Sequence, residues 1–160
     1  MPFSYDIITL NTNGLRNNTN RYKLFNQIKR KTPSIVALQE THSTAKDEKN
    51  WPDVLGGGSM WFSHGSSGAR GVATFISKSL DFQLIFTQCD SDGRVLILVV
   101  DLDGIRLCIA NIYAPNISFY NTDKIAHEKF FENLNNQLDT IKTQYNFTDL
   151  ILLGDFNMIL

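Results

Sequence analysis

Asp155 and Asn157 stand two residues apart in LILLGDFN (150–157), directly after an apolar run and a glycine. A run of that length reads as a buried strand, and in an open sheet ligands gather where strands end. Three other apolar runs stop in the same way. Ile7 to Leu10 ends at Asn11, Ile35 to Leu38 at Glu40, and Leu107 to Ile112 at Tyr113 and Asn116. If these four strands are neighbours with matching ends, one crevice collects two carboxylates, three carboxamides and a phenol.

That inventory has a definite chemistry. One or two carboxylates with neutral oxygens and several waters is how proteins hold Mg²⁺ when a substrate phosphate completes the shell. A second carboxylate can orient or deprotonate an attacking water. Asn side chains and a Tyr hydroxyl hold phosphate oxygens without adding negative charge. The set fits metal-assisted phosphodiester hydrolysis, and it lacks the His and Cys groupings of a zinc site. Each residue also has a structural reading. Asn11, with Asn13 and Gly14 after it, suits a turn. Glu40 could open an exposed loop, Tyr113 could be a half-buried aromatic with a satisfied hydroxyl, and Asp155 could cap a turn.

The elements that must position these groups follow from the pattern. Strands are expected at Tyr5 to Leu10, Ser34 to Leu38, Gly71 to Ser77, Phe82 to Thr87, Val95 to Leu102, Ile105 to Ile112 and Leu150 to Leu153, with Met60 to Ser63 a shorter one. Asp103-Gly104 is a hairpin turn signal. One helix is expected from a cap at Thr19 or Asn20, with Tyr22, Phe25 and Ile28 on one face and Pro33 ending it. A second starts near Thr122 or Asp123 and packs Phe131, Leu134, Leu138, Ile141 and Tyr145 on the sheet. Residues 43–70 are the least regular stretch; their glycines read as surface loop, without the GxxxxGK[ST] pattern of a phosphate-cradling loop. Strands interleaved with two helices predict an α/β fold with a mixed, largely antiparallel sheet.

Composition bounds the rest. The 160 residues suit one domain, and 42% hydrophobic content allows a sizeable core. A net charge of −1 argues against wholesale electrostatic binding of nucleic acid. Residues 1–40, however, carry Arg16, Arg21, Lys23, Lys29, Arg30 and Lys31 against Asp6 and Glu40, a net of +4. This is either a phosphate-binding patch or a solvated helix face. Cys89 and Cys108 make no disulfide framework, and Cys108, inside an apolar run, reads as a buried thiol. Neither a signal peptide nor a membrane span is apparent, so an intracellular setting, nucleus or cytoplasm, is expected.

The wording of five motifs adds a resemblance. ITLNTNGL (8–15), SIVALQETH (34–42), GVATFISKS (71–79), ANIYAPN (110–116) and LLGDFN (152–157) occur in this order. Together they resemble the exonuclease–endonuclease–phosphatase superfamily, and within it the endonuclease domain of LINE-type retrotransposons, a relative of apurinic/apyrimidinic endonucleases. The resemblance implies a four-layered α/β sandwich over residues 1–160 and Mg²⁺-dependent DNA nicking, with Mn²⁺ as the alternative ion. By position, Glu40 would be the main metal ligand, with Asn11 beside the metal. Tyr113 and Asn116 would meet the scissile phosphate region. Asp155 would position or deprotonate the attacking water, and Asn157 would orient Asp155 and the phosphate. The DNA backbone would be the partner; protein partners are not indicated.

Members of that superfamily continue past GDFN with further strands, a later Asp and a Ser-Asp-His segment. The resemblance therefore predicts an N-terminal portion, C-terminally incomplete, with impaired catalysis. His42, His64 and His127 are not expected to replace the later histidine. Two other readings accompany this one: a non-catalytic retrotransposon-derived fragment, and a superfamily phosphoesterase acting on RNA or lipid phosphates.

Overall fold

The structure is a computed structural model, and it describes residues 4–65, 68–117 and 121–158. Among the described residues eight strands form two four-stranded sheets. The first sheet contains β1 (Ile7–Asn11), β2 (Ile35–Gln39), β3 (Gly58–Ser63) and β4 (Val72–Ser77), in the order β1-β2-β4-β3. The second contains β5 (Gln83–Cys89), β6 (Val95–Leu102), β7 (Ile105–Tyr113) and β8 (Asp149–Asp155), in sequence order. Each sheet has one parallel pair, β1 with β2 and β7 with β8, and is otherwise antiparallel.

Side-chain alternation stacks these sheets into four layers. Along β6, Leu96, Leu98 and Val100 pack against Ile35, Val72 and Ile76 of the first sheet. The intervening Val95, Ile97 and Val99 pack instead on Leu134, Leu138 and Ile141 of α3 (Asn121–Tyr145). Both faces of β6 are thus covered, which explains its unbroken apolar run. A third core joins Val36, Leu38 and Phe75 to Phe25 and Ile28 of α1 (Asn18–Lys29) and to Trp51 of α2 (Trp51–Val54). The layers therefore run helix, sheet, sheet, helix, as the four-layered expectation required.

The structure corrects some local expectations. Asn17, rather than Thr19 or Asn20, caps α1; its side chain accepts from the Thr19 and Asn20 backbone N–H groups. Asn17→Ala is expected to cost about 1 kcal/mol of stability, read from urea denaturation; a change within a few tenths would remove the cap from any stabilising role. Tyr22 is exposed whereas Phe25 and Ile28 are buried. Steps of three residues rotate backwards by about 60° each, so a 22–25–28 row drifts about 120° off a single face. The irregular 43–70 stretch contains α2, whose Trp51 is buried edge-on against Phe25, ring centroids 5.5 Å apart. Helix α3 starts at Asn121; the side chains of 121 and 122, and so the cap expected there, lie outside the described residues. So do residues 66–67 of the glycine loop and Ile159–Leu160 at the end of the motif stretch.

The hairpin turn and the buried thiol are as expected. Asp103 and Gly104 both have positive φ (55° and 83°), as the tight β6–β7 hairpin turn requires. Cys108 is fully buried, which pushes its thiol up to about 12. Among the described residues no helix is long and apolar enough to cross a membrane.

Candidate active site

The four strand ends do converge, but not as neighbours in one sheet. β1 and β2 end side by side in the first sheet, with Asn11 opposite Gln39, the residue before Glu40. β7 and β8 end side by side in the second, with Tyr113 opposite Asp155. Parallel pairing puts each pair of ends at the same level. The two pairs then meet across the sandwich where β1 and β8 touch.

Asn11 closes that gap. Its Nδ2 donates to Glu40 Oε1 (2.9 Å) and to Asp155 Oδ2 (2.8 Å). Its Oδ1 accepts from the Asn13 backbone N–H at 3.0 Å, which fixes the orientation of the amide. One carboxamide therefore holds two carboxylates that lie 115 residues apart in the chain.

Glu40 is presented by a strained backbone. It has φ 50°, and His42 has φ 53°, conformations a residue with a Cβ rarely adopts and which active sites tolerate when neighbours hold them. Here the Glu40 carbonyl accepts from the Gly14 N–H (2.7 Å) and the Thr12 hydroxyl (3.0 Å), and the Thr41 N–H donates to the Gly71 carbonyl (3.0 Å). The Tyr113 hydroxyl lies near enough to Glu40 to be held protonated by it. His42 Nε2 lies 3.9 Å from Glu40 Oε2, so His42 belongs to the site, a place the sequence reading did not give it.

Asp155 is held from its own strand. Asp155 Oδ1 accepts from the Asn157 backbone N–H (3.0 Å), while Asn157 Nδ2 donates to the Ala114 carbonyl (2.8 Å). Asn157 therefore supports Asp155 through its main chain and uses its amide to tie the end of β8 to the segment after β7. Gly154 has φ 141°, and a Cβ there would collide with the Ile112 carbonyl, so only glycine allows β7 and β8 to close up beside Asp155. From the other side, His127 of α3 bonds the Phe156 carbonyl through Nε2 (3.0 Å). Asn116 is exposed on the segment after β7, at the same end of the sandwich.

Two buried amides that sequence reading missed lock the sheets together beneath the site. Gln39 Nε2 donates to Asn111 Oδ1 (2.7 Å), and Asn111 Nδ2 donates to the carbonyls of Leu38 (3.2 Å) and Ala73 (3.0 Å). Their only signal was a polar residue inside an apolar run, in VALQ and CIAN. Arg94 is a third omission. Its Nη1 donates to the Tyr113 carbonyl (3.0 Å), and its guanidinium carbon lies 5.1 Å from the Tyr113 ring centroid.

Burial, then the bond and charge of Glu40, push the Tyr113 hydroxyl up to about 12 from its usual 10.0. It therefore remains a protonated donor across the physiological range. For stability the sign is as follows. The unfolded chain releases this proton first, so folding is unaffected well below pH 10 and loses stability as pH rises from 10 towards about 12. Tyr113→Phe is expected to flatten that alkaline limb in pH-dependent denaturation; an unchanged limb would show that other groups produce it.

The donor set suits a hard cation. Among the described residues no three of His, Cys, Asp and Glu gather as a closed metal cage. Two carboxylates beside a carboxamide match an ion that keeps several waters and takes substrate phosphate oxygens, as Mg²⁺ does.

Comparison with known proteins agrees with this architecture. Residues 8–160 match the model of the Endonuclease/Exonuclease/phosphatase family. The chain is 32% identical over 154 residues to a transposon TX1 uncharacterized 149 kDa protein of Xenopus laevis, covering 96% of this chain and 11% of that protein. Among solved structures it is similar to the AP endonuclease LMAP of Leishmania major, with TM-score 0.74 and 22% identity over 94% of this chain and 54% of that one. It is also similar to the APE2 catalytic domain of Xenopus laevis, with TM-score 0.69 and 22% identity over 95% of this chain and 58% of that one. The match to the family model takes in all five motifs and both sheets, and the chain belongs to the endonuclease/exonuclease/phosphatase family.

Proposed function

We propose that this chain is a DNA endonuclease unit of the LINE-retrotransposon type, which hydrolyses a phosphodiester of duplex DNA with Mg²⁺ to leave a nick. The observation that carries the proposal is the pair of carboxylates, Glu40 and Asp155, brought from opposite sheets onto the single Asn11 amide. The family supplies the nuclease or phosphoesterase character. The transposon relative favours DNA at an insertion site over RNA or lipid phosphates. The chain spans about a tenth of that relative and just over half of the solved structures, so the activity is proposed for the 160 residues as they stand and is to be measured on them.

Glu40, with Asn11 beside it, would hold Mg²⁺, with Mn²⁺ as the alternative; the bound ion would neutralise charge developing on the phosphoryl oxygens. Asp155 accepts hydrogen bonds on both oxygens and keeps a lone pair on each for a water proton. It acts as the base that orients and deprotonates the attacking water. Asn157 keeps Asp155 turned towards that water through its N–H. The protonated Tyr113 hydroxyl, near Glu40, and the exposed Asn116 amide would meet the scissile phosphate without adding negative charge.

The experiment is conversion of supercoiled plasmid to open circles by the purified chain in Mg²⁺, with EDTA as the blank. Nicking in Mg²⁺ and none in EDTA is the expected result. Turnover of phosphoinositides without nicking would overturn the DNA assignment, and no hydrolysis of any phosphodiester would leave the non-catalytic reading in its place.

A further inference from the structure

His64 takes no part in the proposed reaction, yet it ends a chain of hydrogen bonds that starts beside Glu40. Thr41 and Ser43 are buried, at 0% and 3% exposure. Their hydroxyl oxygens lie 2.9 Å apart, and the Ser43 N–H donates to Thr41 Oγ1 (3.3 Å). Ser43 Oγ lies 3.0 Å from His64 Nδ1, and His64 Nε2 lies 2.9 Å from Glu48 Oε1. The imidazole is stacked on Phe62, ring centroids 5.4 Å apart, and Phe62 packs edge-on against the buried Trp51. The ring is therefore seated on the α2 core.

The partners set the direction of these bonds. A carboxylate only accepts, so the neutral imidazole carries its proton on Nε2 and offers Nδ1 as an acceptor. The Ser43 hydroxyl donates to Nδ1, and its oxygen accepts from the Thr41 hydroxyl. Thr41 Oγ1 in turn accepts from the Ser43 N–H. Each hydroxyl is thus used as donor and as acceptor.

Glu40 needs such a fixture. Its φ of 50°, like the 53° of His42, persists only where neighbours hold it. On one side the Gly14 N–H and the Thr12 hydroxyl donate to the Glu40 carbonyl. On the other, Thr41 and Ser43 are tied to His64, and Thr41 Oγ1 sits against Gly71, where a Cβ would come within 2.6 Å of it. Without the His64 acceptor the buried Ser43 hydroxyl loses its partner, a cost that movement of 41–43 relieves. That movement reaches Glu40 and its 2.9 Å bond to Asn11. We propose that His64 is a positioning residue for Glu40, acting through Ser43 and Thr41 to keep that carboxylate set for the divalent cation. This rests on the reading of Glu40 as the ligand of the cation.

Binding of Mn²⁺ to the DNA-free chain is measured by electron paramagnetic resonance, from the loss of free-ion signal. His64→Leu and Ser43→Ala are each expected to weaken binding about ten-fold, the lower end of what losing a group that orients a metal ligand costs. His64→Asn, whose Oδ1 can accept from Ser43 in place of Nδ1, is expected to restore most of that affinity. Ile28→Val, which removes one buried carbon from α1, is expected to lower the thermal midpoint and to bind Mn²⁺ like wild type. In plasmid nicking His64→Leu should need about ten-fold more Mg²⁺ and regain the wild-type rate when Mg²⁺ saturates, because Asp155 is untouched.

Wild-type Mn²⁺ affinity in His64→Leu, with the affinity lost in Glu40→Gln, would overturn the inference and leave Glu40 as the ligand. Equal weakening in His64→Asn and His64→Leu, or a matching loss in Ile28→Val, would also overturn it and reduce His64 to packing. Wild-type affinity in Glu40→Gln, or a wild type that binds no Mn²⁺, would sink the ligand reading and the inference with it.

Discussion

Glu40→Gln and Asp155→Asn are each expected to lower plasmid nicking by about 10³-fold while leaving the far-ultraviolet circular dichroism spectrum and the thermal midpoint close to wild type. Both changes keep the shape of the side chain and remove its charge. Glu40→Gln removes the carboxylate that would hold the cation and leaves an amide facing the Asn11 amide. Asp155→Asn removes the base and sets a second amide against Asn11 Nδ2 and the Asn157 N–H. Losing one electrostatic or base function of this kind costs on the order of 10²–10³ in rate, and the loss of a metal ligand adds to it. The double variant is expected to be little worse than either single one, because groups acting on one reacting centre fail as a unit. Initial rates of open-circle formation across a Mg²⁺ series are the measurement. Glu40→Gln should need far more Mg²⁺, whereas Asp155→Asn should stay slow at saturating Mg²⁺. Wild-type rates in either variant would remove that residue from the mechanism.

The second large effect concerns the fold beneath the site. Asn111→Leu is expected to destabilise the chain by about 3 kcal/mol, since buried polar groups left without partners cost about 1–3 kcal/mol each. Asn111 is fully buried, and its amide is shared between Gln39, Leu38 and Ala73 of the opposite sheet. With leucine in its place, Gln39 loses its 2.7 Å acceptor and keeps only the 3.1 Å contact to the Thr9 hydroxyl. Urea denaturation is the test; a midpoint lowered by about 1–2 M is expected for a chain of this size. Combining Asn111→Leu with Gln39→Leu should recover part of the loss, because removing both partners leaves fewer orphans than removing one. Strict additivity would show that the two amides act separately. Since Gln39 precedes Glu40, the single variant is also expected to loosen the carboxylate pair, and its nicking should fall even at temperatures where it remains folded.

These residues show where sequence reading succeeds and where it stops. Asn11, Glu40, Tyr113 and Asp155 were legible because each follows an apolar run that had to be a buried strand, and strand ends are where a rigid sheet presents polar groups. Asn157 and Asn116 were found by the same rule. The structure brings Asn157 to Asp155 through the main chain and leaves Asn116 exposed after β7. Arg94, His42, Gln39 and Asn111 were not legible. Arg94, Gln39 and Asn111 each meet a residue far along the chain or across the sandwich, and a period-2 pattern says which face a side chain takes but not what it meets there; His42 reaches Glu40, two residues away, through the turned backbone at both positions.

The charge distribution makes the same point. The +4 balance of the first 40 residues left a phosphate patch or a solvated helix face open, and its cations are dispersed: Lys29 packs against Gly56 at the far end of the sandwich, whereas Arg16 stands against Gly68. The cation over Tyr113 is Arg94, which no local count places there. By itself, then, the sequence determined the strands, the two long helices and the four polar strand ends, because hydrophobic periodicity and turn chemistry act over a few residues. That those ends face one another across two sheets, with one asparagine holding both carboxylates, was decided only by the tertiary structure. Strand order and the packing of sheet on sheet depend on contacts between residues more than a hundred positions apart, and no local pattern encodes those.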